Sequence, residues 1–516
     1  MALKYTTLLA FTLAALAGLL ASSPLAAADQ TPSSATPAAP AATKPAATPA
    51  TPAPIAPADA TPSETAPQPF FSFSTTVPPM FADLAMAQKD QFNYPVHGDF
   101  DLRYRLRWTH GASDQDLYQY FDLDVGDPRA NTVTAHLSMR STWDIDGHSG
   151  VTGFYVYDSL SDTYRSSFNA QLYSAYVDVH HMGVIDLFRF GRQVMLDLPI
   201  TLQFDGGRLD TWKFKSLANL QLGFFGGVPV HLYEANSAGD GLYGVYAKFE
   251  PWQGARMQAD WTHIDDRYLL LQRTNDLYGI GLWQRLGENI QFYGRYNRLG
   301  TKNRDADLRL IVTSPEYAFN LNANWYSLIE KQNDLAIDID PFTQALLTLF
   351  PYWQGRLTME KAFGEHVDVL AGGTVRQLWD SANYSPNNRE FAAGYITGSL
   401  QDWPAKGVEA DLTWEAWDGH KYEGTTQTIS GDLGYRYRRQ VGAKKFEDVW
   451  MLTAGTSYSL YKYDFYLAQE VQRTRTWYGR FWYKPCGWAR WDAQYEHESN
   501  DYGDYSTFSS SVRLTF

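Results

Sequence analysis

The sequence predicts an all-β fold: a transmembrane antiparallel β-barrel of about 18 strands, within a range of roughly 16 to 22. Three observations carry this expectation. Apolar and polar residues alternate with a period of two in stretch after stretch from Asp99 to Phe516, the pattern of strands with one oily and one wet face. Aromatic residues make up 15% of the chain (34 Tyr, 28 Phe, 17 Trp), although mean hydropathy is −0.38 and the net charge is −14. Tyr and Trp suit a membrane interface because the ring is apolar while the OH or NH meets water. Beyond residue 28, no run approaches the roughly 20 apolar residues of a membrane helix. A span must then be built from strands, whose backbone groups pair within a closed barrel.

The start of the chain is organised differently. Lys4 precedes an apolar core at 8–20 and the small residues Ala26 and Ala28, which reads as a signal peptide over 1–28. Residues 29–69 are nearly all Ala, Pro, Thr and Ser. They are expected to form a disordered periplasmic tether, because such a composition buries too little surface to fold. Residues 70–98 are less polar and read as a periplasmic or barrel-mouth segment, with a short amphipathic helix at 80–87; the barrel itself is assigned to 99–516. Cys486 is the only cysteine, which rules out an internal disulfide or a haem-attachment motif and suits a small packed residue.

The first strand is the clearest. Phe100, Leu102, Tyr104, Leu106 and Trp108 alternate with Asp101, Arg103, Arg105 and Arg107. An arginine facing lipid at mid-depth costs roughly 2–4 kcal/mol, so this ladder must face water. The same period returns at 133–140, 255–262, 319–325, 408–415 and 489–496, and again at 508–516, where Ser509, Ser511 and Arg513 oppose an apolar face. Gly, Asp and Asn mark tight turns at 146–150 and 285–289. Longer inserts at 111–131, 265–276, 300–316, 332–351 and 379–390 read as loops, the acidic ones outside the cell.

The final strand ends on Phe516, with Leu514, Val512 and Phe508 on the same face, and resembles the closing strand and assembly signal of bacterial outer-membrane barrels. The resemblance implies the outer membrane of a Gram-negative bacterium as location, with the tether in the periplasm. It implies outer-membrane lipid and the barrel-assembly machinery as partners. The segments 173–179, 187–193 and 205–209 are similar, in strand, turn and strand order, to alginate-export family porins. That family's monomeric barrel has an electropositive lumen for an anionic polysaccharide, and Arg103, Arg105, Arg107 and Arg192 match its arginine-lined strands. Glu409, Asp411, Asp492 and Glu496 depart from it by sharing the lumen, so alginate itself is not carried over. A further resemblance is to barrel components of porin-cytochrome conduits, which sheathe multihaem cytochromes and carry no haem motif of their own.

The ladder of Arg103, Arg105 and Arg107 has two readings. Cations in a narrow, low-dielectric-walled channel attract anions, and the same residues can form a salt-bridge network with Asp101 and acids on neighbouring strands. Arg140, Arg192, Arg436, Arg438 and Arg513 complete the lumen candidates, with Arg436 and Arg438 placed beside Tyr435 and Tyr437 as a basic constriction. Asp122, Asp124 and Asp127 are spaced like calcium ligands, but the full loop signature is absent, and a solvated acidic loop is expected. His263, Asp265 and Asp266 resemble the His–Asp pairs of barrel proteases but lack a remote partner that would orient a base. His180 and His181 alternate across a strand and make a poor metal pair.

No catalytic residue, cofactor, metal or nucleic-acid partner is expected. The combined expectation is a porin-like channel passing anionic or polar solutes, such as an anionic polysaccharide or a small solute, by diffusion. The alternatives are a barrel sheath for multihaem cytochromes and an outer-membrane barrel enzyme.

Overall fold

The computed structural model describes residues 94–110, 112–146, 166–198, 200–230, 239–268, 271–331, 349–384, 388–419, 425–442, 445–464, 469–501 and 503–516. The expected signal peptide, tether and 80–87 helix lie outside these residues.

Twenty-two strands follow one another among the described residues. They are β1 (Val96–Thr109), β2 (Ala112–Val125), β3 (Val133–Asp144), β4 (Phe168–Met182), β5 (Ile185–Met195), β6 (Leu202–Thr211), β7 (Gln221–Pro229) and β8 (Gly241–Phe249). Next come β9 (Ala255–Tyr268), β10 (Leu271–Leu286), β11 (Ile290–Leu299), β12 (Lys302–Ser314), β13 (Phe319–Leu328), β14 (Tyr352–Phe363) and β15 (Val367–Leu378). The ring is completed by β16 (Phe391–Gln401), β17 (Val408–Gly419), β18 (Thr425–Gln440), β19 (Phe446–Asp464), β20 (Gln469–Cys486), β21 (Ala489–Asn500) and β22 (Gly503–Thr515). Each strand pairs antiparallel with the next, and β1 pairs with β22, so the sheet closes without an edge.

Part of the excess over the expected 18, β2 and β12, has a physical reason. Three inserts read as loops are strand: 111–131 contains β2, 265–276 holds the ends of β9 and β10, and 300–316 contains β12. In β2 the inner positions are Asp114, Asp116, Tyr118, Tyr120, Asp122 and Asp124, set opposite the inner face of β1. So many acids mask the outward series Leu117, Phe121, Leu123 and Val125. The inserts 332–351 and 379–390 stand between β13 and β14 and between β15 and β16, with 332–348 and 385–387 outside the described residues. The turn at 146–150 begins a longer link, 145–167, most of which is outside the described residues. Diameter grows with strand number, so 22 strands enclose a ring roughly 40 Å across, against about 35 Å for 18.

The start of β1 and the end of β22 share one rim, here called the near rim. Links on that rim are short, down to 183–184 and 487–488, whereas the strand ends flanking the longest links, those of β3 and β4, β13 and β14, and β15 and β16, lie on the far rim. Between the rims the outer face is apolar, with Leu412 63%, Leu433 61%, Ile429 55% and Leu452 52% exposed. Exposed aromatic residues mark both ends: Trp252, Tyr317, Trp403 and Trp488 near, Trp143, Tyr243, Trp379 and Trp477 far. Interfacial rings flanking an oily band are the outer surface of a membrane-spanning barrel.

Closure sets Leu102 opposite Val512 and Leu106 opposite Phe508. Gly98 makes it possible, because a Cβ there would sit 2.5 Å from the Phe516 ring and 2.8 Å from the Asp122 carbonyl oxygen.

Candidate functional site

The inner wall is a lattice of charges, and pairing dominates it. Arg105 donates to Asp116 through Nε at 3.1 Å and Nη2 at 2.6 Å, and also to the Tyr118 hydroxyl. Arg107 meets Asp114 at 2.5 Å. Arg103 and Arg513 both approach Asp101, each at 3.4 Å. Period-two alternation on β1 and β2 places these groups directly across from one another, with Arg105 facing Asp116 and Arg107 facing Asp114 in the ladder. Of the two readings of this ladder, the ion-pair geometry is the one seen for Arg105 and Arg107. The acids came from β2, the strand whose sequence reads as a loop. Arg103 and Arg513 keep 38% and 55% of their side chains exposed and are the members of the group that meet the lumen.

The pattern continues around the ring. Arg189 makes a two-pronged pair with Asp178 at 2.7 and 2.8 Å while lying over the Tyr176 ring. Arg208, Asp210 and Tyr246 form one hydrogen-bonded group. Arg295 meets Asp260 at 2.5 Å in a buried pair. Two-pronged and charge-assisted contacts are the strong ones, and mutual neutralisation offsets the cost of removing each charge from water.

The remaining candidates separate by position. Arg140 faces inward, its guanidinium 4.9 Å from the Tyr118 ring centre and 5.5 Å from that of Tyr120. Arg436 pairs with Glu409 at 2.9 Å, and Arg438 bridges Asp402 at 3.2 Å and Asp448 at 3.1 Å. They sit toward the near rim and are neutralised there, so they do not form a free basic constriction. Arg192 corrects the expectation of a lumen position. It shares the outward face of β5 with Phe190, which is 66% exposed, and pairs with Asp205 at 2.8 Å. Positions 189 and 192 differ by three, so with a period of two only Arg189 faces in.

The other sequence candidates do not converge. Asp124 holds His136 at 2.7 Å, and Asp127 caps its own turn by accepting from the Arg129 N–H at 2.9 Å. Among the described residues no group of three potential metal ligands comes together. His263 and Asp265 lie on the outward face of β9, where His263 meets Asp276 at 2.9 Å and Asp265 accepts from Thr274. His180 bonds Thr134, and His181 stacks on Trp212 with ring centres 4.9 Å apart.

The structure adds a feature of the far mouth that the sequence reading missed. Between β5 and β6, the link 196–201 turns onto the inner wall. Its Asp197 carboxylate accepts from Lys248 Nζ at 2.6 Å, and the Asp197 carbonyl accepts from Gln258 Nε2 at 2.7 Å. Lys248 and neighbouring arginines hold the Asp197 carboxyl below its ordinary range, outweighing burial, which acts in the opposite direction. Met195, Leu198 and Leu202 are buried against Phe204, Leu242, Ile264, Leu277, Leu299 and Leu328. The lumen is therefore polar and paired through most of its height and apolar over part of its far mouth. A run of inward leucines at strand ends was the available signal, legible only once register is known.

No protein-family model and no curated protein matches this sequence. Solved structures to which the chain is similar include OccAB3 of Acinetobacter baumannii, 9% identical over 82% of this chain and 99% of that one, with a TM-score of 0.39. The translocation pore of the P pilus usher PapC is 8% identical over 81% and 99%, with a TM-score of 0.49. OccK2 (OpdF) of Pseudomonas aeruginosa, solved with glucuronate, is 11% identical over 83% and 99%, with a TM-score of 0.39.

Proposed function

We propose that this chain is a porin-like channel of a Gram-negative outer membrane that passes anionic or polar solutes by diffusion through its charge-lined lumen. The observation that carries this reading is the division between the faces: an apolar outer band between aromatic rims, and an inner wall of arginines and carboxylates. Water-lined surfaces of this kind let polar solutes exchange hydration for wall contacts without a deep energy minimum, which conduction requires. Lipid and the barrel-assembly machinery are the partners this location implies, the latter through the outward face of Phe508, Val512, Leu514 and Phe516. The resemblance to alginate-export porins favours anions, and the pairing of Arg105 and Arg107 argues for a modest preference. No enzymatic role is proposed. Conductance and reversal potential of the purified protein across a planar lipid bilayer test the reading: steady current supports it, and silent bilayers with folded protein refute it.

A second reading rests on the strand count. A ring of 22 strands is wide enough to hold another chain, since barrels of that size elsewhere carry plugged lumens, and a neutralised polar wall suits a multihaem cytochrome as well as water. Stable copurification with a haem protein, together with absent conductance, would favour the sheath.

A further inference from the structure

Arg376 departs from the pairing rule of the inner wall. Its ladder neighbours are Gln354 on β14 and Phe391 on β16, neither of them acidic. Nε and Nη2 are buried with no hydrogen-bond partner. The guanidinium instead lies 3.8 Å from the centre of the Tyr352 ring, which packs beside Tyr326 at 5.8 Å. On the other flank Phe391 and Trp417 lie with ring centres 5.9 Å apart. The nearby Glu390 carboxylate accepts from the Leu378 backbone N–H at 3.3 Å. One step down the same face of β14 stands Arg356, opposite Asn324 and Thr374, so no acid faces it in the ladder either.

Arg376 is half-buried, and withdrawing two of its guanidinium nitrogens from water without an anion is costly, a cost that ring faces return only in part. The missing contribution is a negative charge. A planar fork of N–H donors matches a carboxylate better than a spherical ion, and any organic group carrying that carboxylate would rest among aromatic rings. Resting on the channel reading, we propose that Arg376, with Tyr352, Phe391 and Trp417, forms a subsite at the far mouth for a small aromatic carboxylate.

Benzoate is the probe, titrated into the purified barrel in detergent micelles and followed by calorimetry, which needs no conduction. Benzyl alcohol and inorganic phosphate separate the ring from the charge. The expected result is benzoate binding that exceeds both and falls about tenfold or more in Arg376→Gln, with partial recovery in Arg376→Lys. Equal binding of benzoate and benzyl alcohol, equal binding of benzoate and phosphate, or an unchanged Arg376→Gln would overturn the site. Should Arg376→Gln fail to fold, the wild-type protein supplies the test: benzoate must protect Arg376 from phenylglyoxal, and unprotected modification counts against the proposal. Binding without conductance refutes the channel and keeps the site, whereas conductance without binding refutes the site alone.

Discussion

Arg105 on β1 and Asp116 on β2 face each other across the ladder, joined at 3.1 and 2.6 Å, with the Asp116 side chain fully buried. This pair makes the arginine ladder part of the wall's structure. Removing one partner leaves a buried charge uncompensated, so Asp116→Ala should destabilise the barrel by about 3–5 kcal/mol. Urea unfolding in micelles measures it. The double change Arg105→Met with Asp116→Leu should lie much nearer the native protein, and equal loss in both would contradict the pairing argument.

Selectivity should follow exposure rather than sequence order. Arg103→Gln and Arg513→Gln, at positions that retain open side chains, are expected to lower anion preference in bilayer reversal potentials. Arg105→Gln should change stability and leave the reversal potential close to native.

The link 196–201 should behave as a docked segment. Leu198 is 6% exposed within the apolar cluster, and Leu198→Ala should cost about 2–5 kcal/mol of local docking. Asp197→Asn removes the charge held by Lys248. Both variants should raise single-channel conductance and speed hydrogen exchange in this link. Unchanged conductance in both would mean that the segment does not narrow the passage.

Much of the architecture was legible in the sequence. The alternation at 100–108 placed the arginines inward, and the strand at 508–516 read as the closing one does meet the first, Phe100 lying opposite Leu514. The misread strands share one cause. β2 and β12 carry so many charges on the inner face that they read as loops, although a charged inner face is what a polar lumen asks of a strand. Arg376 could not be singled out, because its meaning lies in what stands opposite, Gln354 and Phe391, and register is not written in one strand. Arg192 was assigned to the lumen through the family resemblance, and its three-residue offset from the inward Arg189 puts it on the outer face instead.

Near-rim links should loosen in acid. Burial tends to raise the Glu250 carboxyl, but Lys213 at 2.8 Å and Asn219 at 2.7 Å outweigh it and hold it below its ordinary range. The Gly407 backbone N–H does the same for Asp402, assisted by Arg438. A carboxyl lowered in the folded state contributes stability that is present above its unfolded pKa, about 4, and is lost as pH falls through the folded value. Protease cleavage in 250–254 and 402–407 should therefore stay constant near neutrality and rise only below about pH 4. In Glu250→Gln the first link should already be cleaved faster at pH 7.

The central claim is an aqueous path through a paired wall. Single-channel recording of the purified protein in planar bilayers, under a salt gradient, tests it most directly. The account predicts steady conductance with a weak anion preference that falls in Arg103→Gln. Bilayers that stay silent with heat-modifiable, folded protein inserted would contradict it.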